Sequence, residues 1–173
     1  MKTVELKVLH WRYVRMLLSL ALLKREPVQV IGGFGFIEKN YDLIPLYTDL
    51  KRLVFETGCG IINESGDDIL FNPEGLIHGT YSFDTDMYSS VSEMELFLMP
   101  PLFYSGFRSV IRYTGVTHSH LSYPTTFLKE TLFSFLESTG HYASLNLRRF
   151  GFYGSGGGAA ESRIYPAEPK KCG

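Results

Sequence analysis

The 173-residue chain has two cysteines, Cys59 and Cys172, and Cys172 stands next to the end of the sequence. That pair makes a disulfide framework a poor expectation and fits a reducing compartment. Charge of either sign is not in excess: 17 basic and 18 acidic residues leave a formal net charge of -1. Nothing in that balance draws the chain to nucleic acid or to anionic lipid, so any polyanion site has to be a local patch. No run approaches the roughly 18 apolar residues of a membrane span. "MLLSLALL" (16–23) has the length of a signal-peptide core, but Glu5 precedes it, "KRE" follows directly, and no small-residue cleavage site appears. The expectation is a cytoplasmic protein that does not engage a membrane.

What is present is a globular composition, 45% hydrophobic and 20% charged, enough for one ordinary domain or two small ones. "TVELKV" (3–8) alternates as a strand, and 9–26 reads as a helix apolar on most sides, with Arg12, Arg15 and Ser19 as its polar stripe. "PVQVIGG" (27–33) is a strand ending in glycine. "LIPLYTDLKRLVFETG" (43–58) carries a helix with Leu46, Leu50, Leu53 and Val54 on one face and Gly58 as C-cap. "GIIN" and "DILF" flank "ESGD" as a hairpin.

The order β-α-β-α-β-β then returns. Strands are expected at 80–84 and 108–115, a helix at 89–103 that stops near Pro100 and Pro101, a helix at 124–140, and closing strands at 142–150 and 161–166. Val28 and Val110, Gly33 and Gly115, Leu50 and Leu132, and Gly58 and Gly140 are each 82 positions apart. One shared offset points to internal duplication. The expected organisation is α/β (α+β): two β-α-β-α-β-β repeats, 1–77 and 78–166, each a four-stranded sheet with two helices, and a flexible tail at 167–173.

"GFYGSGGG" (151–158) packs four of the 17 glycines into five positions. It joins the last two strands and lacks both a following helix and a Gly-Lys-Ser/Thr ending, so a long bulged hairpin is a better reading than a phosphate loop. Anion binding stays open for Gly156, Gly157 and Gly158, with Arg149 as a nearby cation. In "THSH" (117–120), His118, Ser119 and His120 supply loop polarity or an anion contact. Zinc would need His10 or His141 as a further ligand, and a full set is not evident. Arg12 and Arg15, three apart on a helix, either hold a phosphate or stay wet at a helix edge. Asp84, Asp86, Glu93 and Glu95 either hold a divalent ion or complement a helix dipole, the second being favoured. The aromatics Phe34, Phe36, Phe103, Tyr104, Phe107, Phe150, Phe152 and Tyr153 are placed at strand ends and loops, as core or interface rather than base-stacking platforms.

"YSFDTD…SSV…MPPLFY", "GVTHSHLSYPTTFLKE" and "LNLRRFGFYGSGGG", in that order, resemble the RNA 3′-terminal phosphate cyclases, most closely over 78–166. "VRMLLSLALLKREPVQV", "TDLKRL…TG" and "DILFNPEG" carry a weaker resemblance in the first half. The resemblance implies the fold shared with enolpyruvyl transferases, usually three such repeats with an inserted domain. It also implies a nucleophilic histidine that takes AMP from ATP, and no position here matches that histidine.

Where the family opens with Glu-Gly-Gly-Gly-Gln-Ile-Leu-Arg, this sequence reads "VLHWRYVR" (8–15). Val8 stands at the carboxylate, Leu9, His10 and Trp11 at the glycines, Arg12 at the glutamine, and only Arg15 survives. The family's Gly-Thr-Ala-Gly-Ser has become "TDMYSS", its helix glutamine falls at Leu96, and Gly154 and Ala159 replace the hairpin's proline and glutamate. The implied reading is a cyclase-like, non-catalytic binding or assembly module for RNA or a phosphorylated ligand. It would be a homodimer or be completed by a partner chain. No cofactor is expected unless the family activity is retained, which would bring ATP and a divalent metal. The other reading is an enzyme with a remodelled site for RNA 3′-phosphate ends.

Overall fold

The structure, a computed structural model, describes residues 1–6, 9–75 and 78–167. Lys7 and Val8, at the end of the expected first strand, lie outside them, as do Cys172 and most of the expected tail. The chain forms two compact units, Met1–Ile77 and His78–Gly173.

The first unit runs β1 (Lys2–Val4), α1 (Trp11–Lys24), β2 (Val28–Val30), α2 (Gly33–Glu38), a 3-10 turn (Tyr41–Leu43), α3 (Ile44–Thr57), β3 (Gly60–Ser65) and β4 (Asp68–Pro73). The second runs β5 (Thr80–Asp84), α4 (Val91–Phe103), β6 (Ser109–Gly115), α5 (Thr125–Phe127), a π-helical turn (Leu128–Leu132), α6 (Phe133–Ser138), β7 (Ala143–Arg149) and β8 (Gly158–Ile164). Their sheets are ordered β1-β2-β4-β3 and β5-β6-β8-β7. In each, the first pair is parallel and the rest antiparallel. The fold class is therefore mixed α/β with two four-stranded sheets and their helices.

The offset of 82 holds at one place in detail. Gly58 N donates to Phe55 O and Cys59 N to Val54 O, while Gly140 N donates to Glu137 O and His141 N to Leu136 O. Both glycines have positive φ, 64° and 86°, the left-handed cap that ends a helix without a Cβ clash. In the strands the offset breaks. Val28 and Val30 are buried in β2, whereas Ser109, Ile111 and Tyr113 are buried in β6 and Val110 faces the other side. A shift of one residue exchanges the two faces of a strand.

In α3, Leu46, Leu50, Leu53 and Val54 are all fully buried, as their spacing requires. Helix α1 turns differently. Arg15 is 9% and Ser19 2% exposed, while Tyr13, Met16 and Leu20 face solvent at 48%, 48% and 40%. The inward stripe Val14, Leu18, Ala21 and Leu22 carries Arg15 and Ser19 with it, because each is one step along the helix from an inward residue.

Three local readings are corrected. Phe34 and Phe36 belong to helix α2, which opens at Gly32 with φ 66°. Helix α4 continues through Pro100 and Pro101 to Phe103. An interior proline costs about 3 kcal/mol, but these two interrupt only the last turn, where burial of Pro101, Leu102 and Phe103 offsets the loss. The single helix expected at 124–140 is interrupted by the π-helical turn, which offsets Leu132 from the fully buried position of Leu50.

Ala167, the first residue of the expected tail, donates its N–H to Phe103 O at 2.7 Å.

Candidate functional site

Parallel pairing of β5 with β6 places their C-terminal ends together, and the antiparallel β8 begins beside the end of β6, Gly115 opposite Gly158. Three connections of the second unit therefore gather at one end of its sheet: 85–90, 116–124 and the hairpin 150–157. Crevices outside strand carboxyl ends are where open α/β sheets take ligands.

The hairpin is tied to the histidine loop mainly by backbone. Thr117 N and His118 N both donate to Gly151 O at 2.9 Å, Gly151 N donates to Thr117 Oγ1 at 2.9 Å, and Tyr153 N donates to His118 O at 3.1 Å. Gly154 N reaches Met87 O in the third connection at 2.7 Å. Ser155 N and Gly156 N donate to Phe152 O. Three amides of the glycine run, those of Gly154, Ser155 and Gly156, thus already serve carbonyls of the chain, and a phosphate would have to displace them. Gly154, Gly156 and Gly157 have φ of 78°, 62° and 75°, and Gly158 is packed so that a Cβ would stand 2.6 Å from Gly115 O. Backbone geometry accounts for the glycines.

His118 and His120 stand among rings. His118 contacts Phe150 and Phe152 at 5.1 and 5.7 Å between centroids, and His120 meets Tyr153 edge-on at 4.6 Å. His118 Nδ1 lies 2.9 Å from Thr117 Oγ1. Partial burial of the ring holds His118 below the ordinary histidine pKa, so at neutral pH it offers a neutral imidazole rather than a fixed cation. Ser119 Oγ accepts from Leu121 N at 3.1 Å and so braces its own loop. Arg149 is exposed at the end of β7, opposite Ala159. Arg148 is occupied elsewhere: with Arg112 and Arg163 it donates to Glu161, and these guanidinium groups, Arg163 foremost, hold that carboxyl below its usual pKa.

Arg12 and Arg15 belong to the first unit. Arg15 is buried, so the wet helix edge does not describe it. The head of α1 is closed by its own residues: His10 Nδ1 accepts from Arg12 N at 3.2 Å, and Trp11 is 2% exposed.

Among the described residues, no three His, Cys, Asp or Glu side chains gather as a metal set. His141 packs on Phe103 and Tyr104 and bonds Thr139 Oγ1 at 3.0 Å. The acidic group divides. Asp86 Oδ1 accepts from Tyr88 N at 2.8 Å, and Asp84 accepts from Thr114 Oγ1. Glu93 and Glu95 are fully buried on α4. A helix-dipole role does not describe Glu95, whose oxygens accept from Tyr113 OH at 2.8 Å and Ser162 Oγ at 2.6 Å inside the core.

Two clusters escaped the sequence reading. Ser90 Oγ lies 2.8 Å from Ser92 Oγ and 2.6 Å from Ser122 Oγ at the buried head of α4. In the first unit, Tyr47 OH and Lys51 Nζ both donate to Glu64 Oε1 at 2.7 Å. Serines carry no periodic signal. The i, i+4 spacing of Tyr47 and Lys51 was visible, but their partner on β3 was not.

The sequence matches the family model for RNA 3′-terminal phosphate cyclase over residues 51–172, more than half of the chain. It is 33% identical over 103 residues to the RNA 3′-terminal phosphate cyclase of Koribacter versatilis, covering 60% of this chain and 29% of that protein. The Pseudomonas aeruginosa protein of the same name is 34% identical over 89 residues, 51% of this chain and 26% of that one. The Archaeoglobus fulgidus one is 27% identical over 103 residues, 60% and 31%. The chain thus spans less than a third of the length of these relatives. Among solved structures, the enolpyruvyl transferase NikO from Streptomyces tendae is similar at a TM-score of 0.47 and 15% identity, over 92% of this chain and 32% of that one. The family match, over the residues that hold α4, the histidine loop and the glycine hairpin, is decisive: the chain belongs to the RNA 3′-terminal phosphate cyclase family.

Proposed function

We propose that this chain is a non-catalytic member of its family, a binding or assembly module built on the cyclase scaffold. The observation that carries the reading is the head of α1. A helix N-terminus binds phosphate through free amides and close backbone approach. Here His10 turns its imidazole onto Arg12 N, and the Trp11 side chain is packed away where the family has glycine. His10 thereby takes up one of the amides a phosphate would use, and Trp11 puts a side chain where glycine would leave bare backbone. The ligand surface then falls to the loop end of the second unit, with Arg149 as the exposed cation, His118, Ser119 and His120 beside it, and Gly156, Gly157 and Gly158 setting the hairpin's shape. RNA or another phosphorylated ligand, held through Arg149 rather than through the hairpin amides, is the partner class of this reading, and it calls for no cofactor.

Incubating the chain with labelled ATP and a divalent metal is expected to leave it unlabelled. A covalent adenylate, or conversion of a 3′-phosphorylated oligonucleotide to its cyclic end, would overturn the reading.

Assembly is the second part. Tyr13, Met16 and Leu20 form an exposed apolar stripe on α1, and such stripes mark contact surfaces. A C₂ dimer in the cytoplasm is the arrangement we propose, with a partner chain supplying the remaining family units as the alternative. Light scattering at micromolar concentration should give twice the chain mass, falling to one chain mass for Met16→Glu. A wild-type monomer throughout would refute self-association.

A further inference from the structure

A cleft of about 350 Å³ opens in the first unit between α2, α3 and the end of β3. That volume lies within the range of about 300–1,000 Å³ typical of small-molecule sites. Its walls are Phe34, Ile37, Ile44 and the ring of Tyr47, with Phe34 and Tyr47 tilted together at 5.9 Å.

The charged groups of the lining are Glu38, Glu64 and Lys51, two carboxylates against one ammonium. Lys51 is spent on Glu64: its Nζ donates to Glu64 Oε1 at 2.7 Å, beside the bond from Tyr47 OH. Partial burial raises the Glu64 pKa, but the bonds from Lys51 and Tyr47 hold it below its ordinary value, so the pair is ionised at neutral pH. The charge left over is that of Glu38, which is exposed and has no hydrogen-bond or ion-pair partner among the described residues. Glu38 stands four residues after Phe34 on α2, a spacing that puts the carboxylate and the aromatic ring on one helix face. An ammonium beside Glu38 can therefore also meet the face of Phe34. The cleft already holds one such arrangement of its own, with Lys51 Nζ 5.9 Å from the centre of the Tyr47 ring and bonded to a carboxylate. A bare inorganic cation would leave the apolar walls unused and would need more oxygen ligands than Glu38 offers. A ligand carboxylate would face both glutamates.

We propose that this cleft binds a small organic cation, an ammonium on an aromatic or alicyclic body, with the ammonium held by Glu38 against Phe34 and the body on Ile37, Ile44 and Tyr47. The site belongs to the first unit alone, and its occupancy does not depend on whether the loop end of the second unit binds RNA.

Amide chemical shifts of the whole chain, titrated at constant neutral pH with benzylamine, benzyl alcohol and benzoate, test the proposal. Benzylamine up to about 20 mM, a range in which a fragment of its size reaches measurable occupancy, should shift amides of 34–38 and 44–51. It should bind at least about threefold more tightly than benzyl alcohol, the factor that an exposed ion pair and a cation over a ring together supply, with benzoate weakest. Glu38→Gln should bring benzylamine down to the affinity of benzyl alcohol and leave benzyl alcohol itself unchanged. Glu38→Lys, an independent variant at the same exposed position, should make benzoate the tighter of the two charged probes. No shifts with benzylamine, shifts confined to other residues, benzyl alcohol or benzoate binding as tightly as benzylamine, or an undiminished benzylamine affinity in Glu38→Gln would each overturn it.

Discussion

Gly151→Ala is expected to destabilise the chain by about 3–5 kcal/mol, the upper end of what single substitutions do. A Cβ at this position would overlap the backbone of Gly115 and Gly158. Those atoms are backbone at the Gly115–Gly158 end of the β6–β8 ladder, and the carbonyl of Gly151 itself seats the histidine loop, so no flexible side chain can move aside. Gly157→Ala makes the control. Its φ of 75° strains any residue with a Cβ, yet nothing lies within 4 Å of the added atom. Backbone strain alone costs about 1–2 kcal/mol, or a fall of roughly 2–8 °C in a chain of this size. Thermal melts of the two variants separate crowding from strain within one hairpin. If Gly151→Ala melts with Gly157→Ala, the hairpin yields easily and does not brace the His118 loop.

The contrast also shows what a run of glycines does and does not say. Its position between two strands was legible, because no helix follows it. Which glycine is crowded was not, because Gly151 stands outside the dense run and its neighbours come from residues 115 and 158. The same division holds through the chain. Periodicity placed the buried face of α3, and the β3–β4 hairpin followed from its turn residues. Helix α2 was hidden because "GFGFIE" combines two glycines with aromatics, a poor intrinsic helix that forms where Gly35 tucks against Asp67. The inward turn of Arg15 was hidden too, since a helix apolar on most sides leaves its solvent face to tertiary packing.

Glu95 gives the last large effect, and it depends on pH. In "SEMELFLMP" Glu93 and Glu95 stand near the head of an apolar helix, a place that suits a dipole role equally well, so burial of Glu95 came from the packing of α4. Burial pushes its pKa up, against the lowering from Ser162 and Tyr113, so the folded state holds a proton that the unfolded chain gives up near its ordinary value. The stability Glu95 contributes is then fully present below the unfolded pKa and is lost as pH rises through the folded one. Glu161 works the other way. Its pKa is lowered by Arg163 and its fellow guanidinium groups, so its contribution is present above the unfolded pKa and is lost as pH falls. Urea midpoints of wild type should therefore decline as pH rises above the ordinary glutamate value. Glu95→Gln keeps the shape, cannot ionise, and should flatten that decline while leaving the acid limb in place. Glu95→Ala should cost about 3–5 kcal/mol below the ordinary glutamate pKa and progressively less as pH rises, because Tyr113 OH and Ser162 Oγ lose their acceptor inside the core while the variant has no carboxyl left to ionise. An alkaline limb in Glu95→Gln as steep as in wild type would place the titrating group elsewhere.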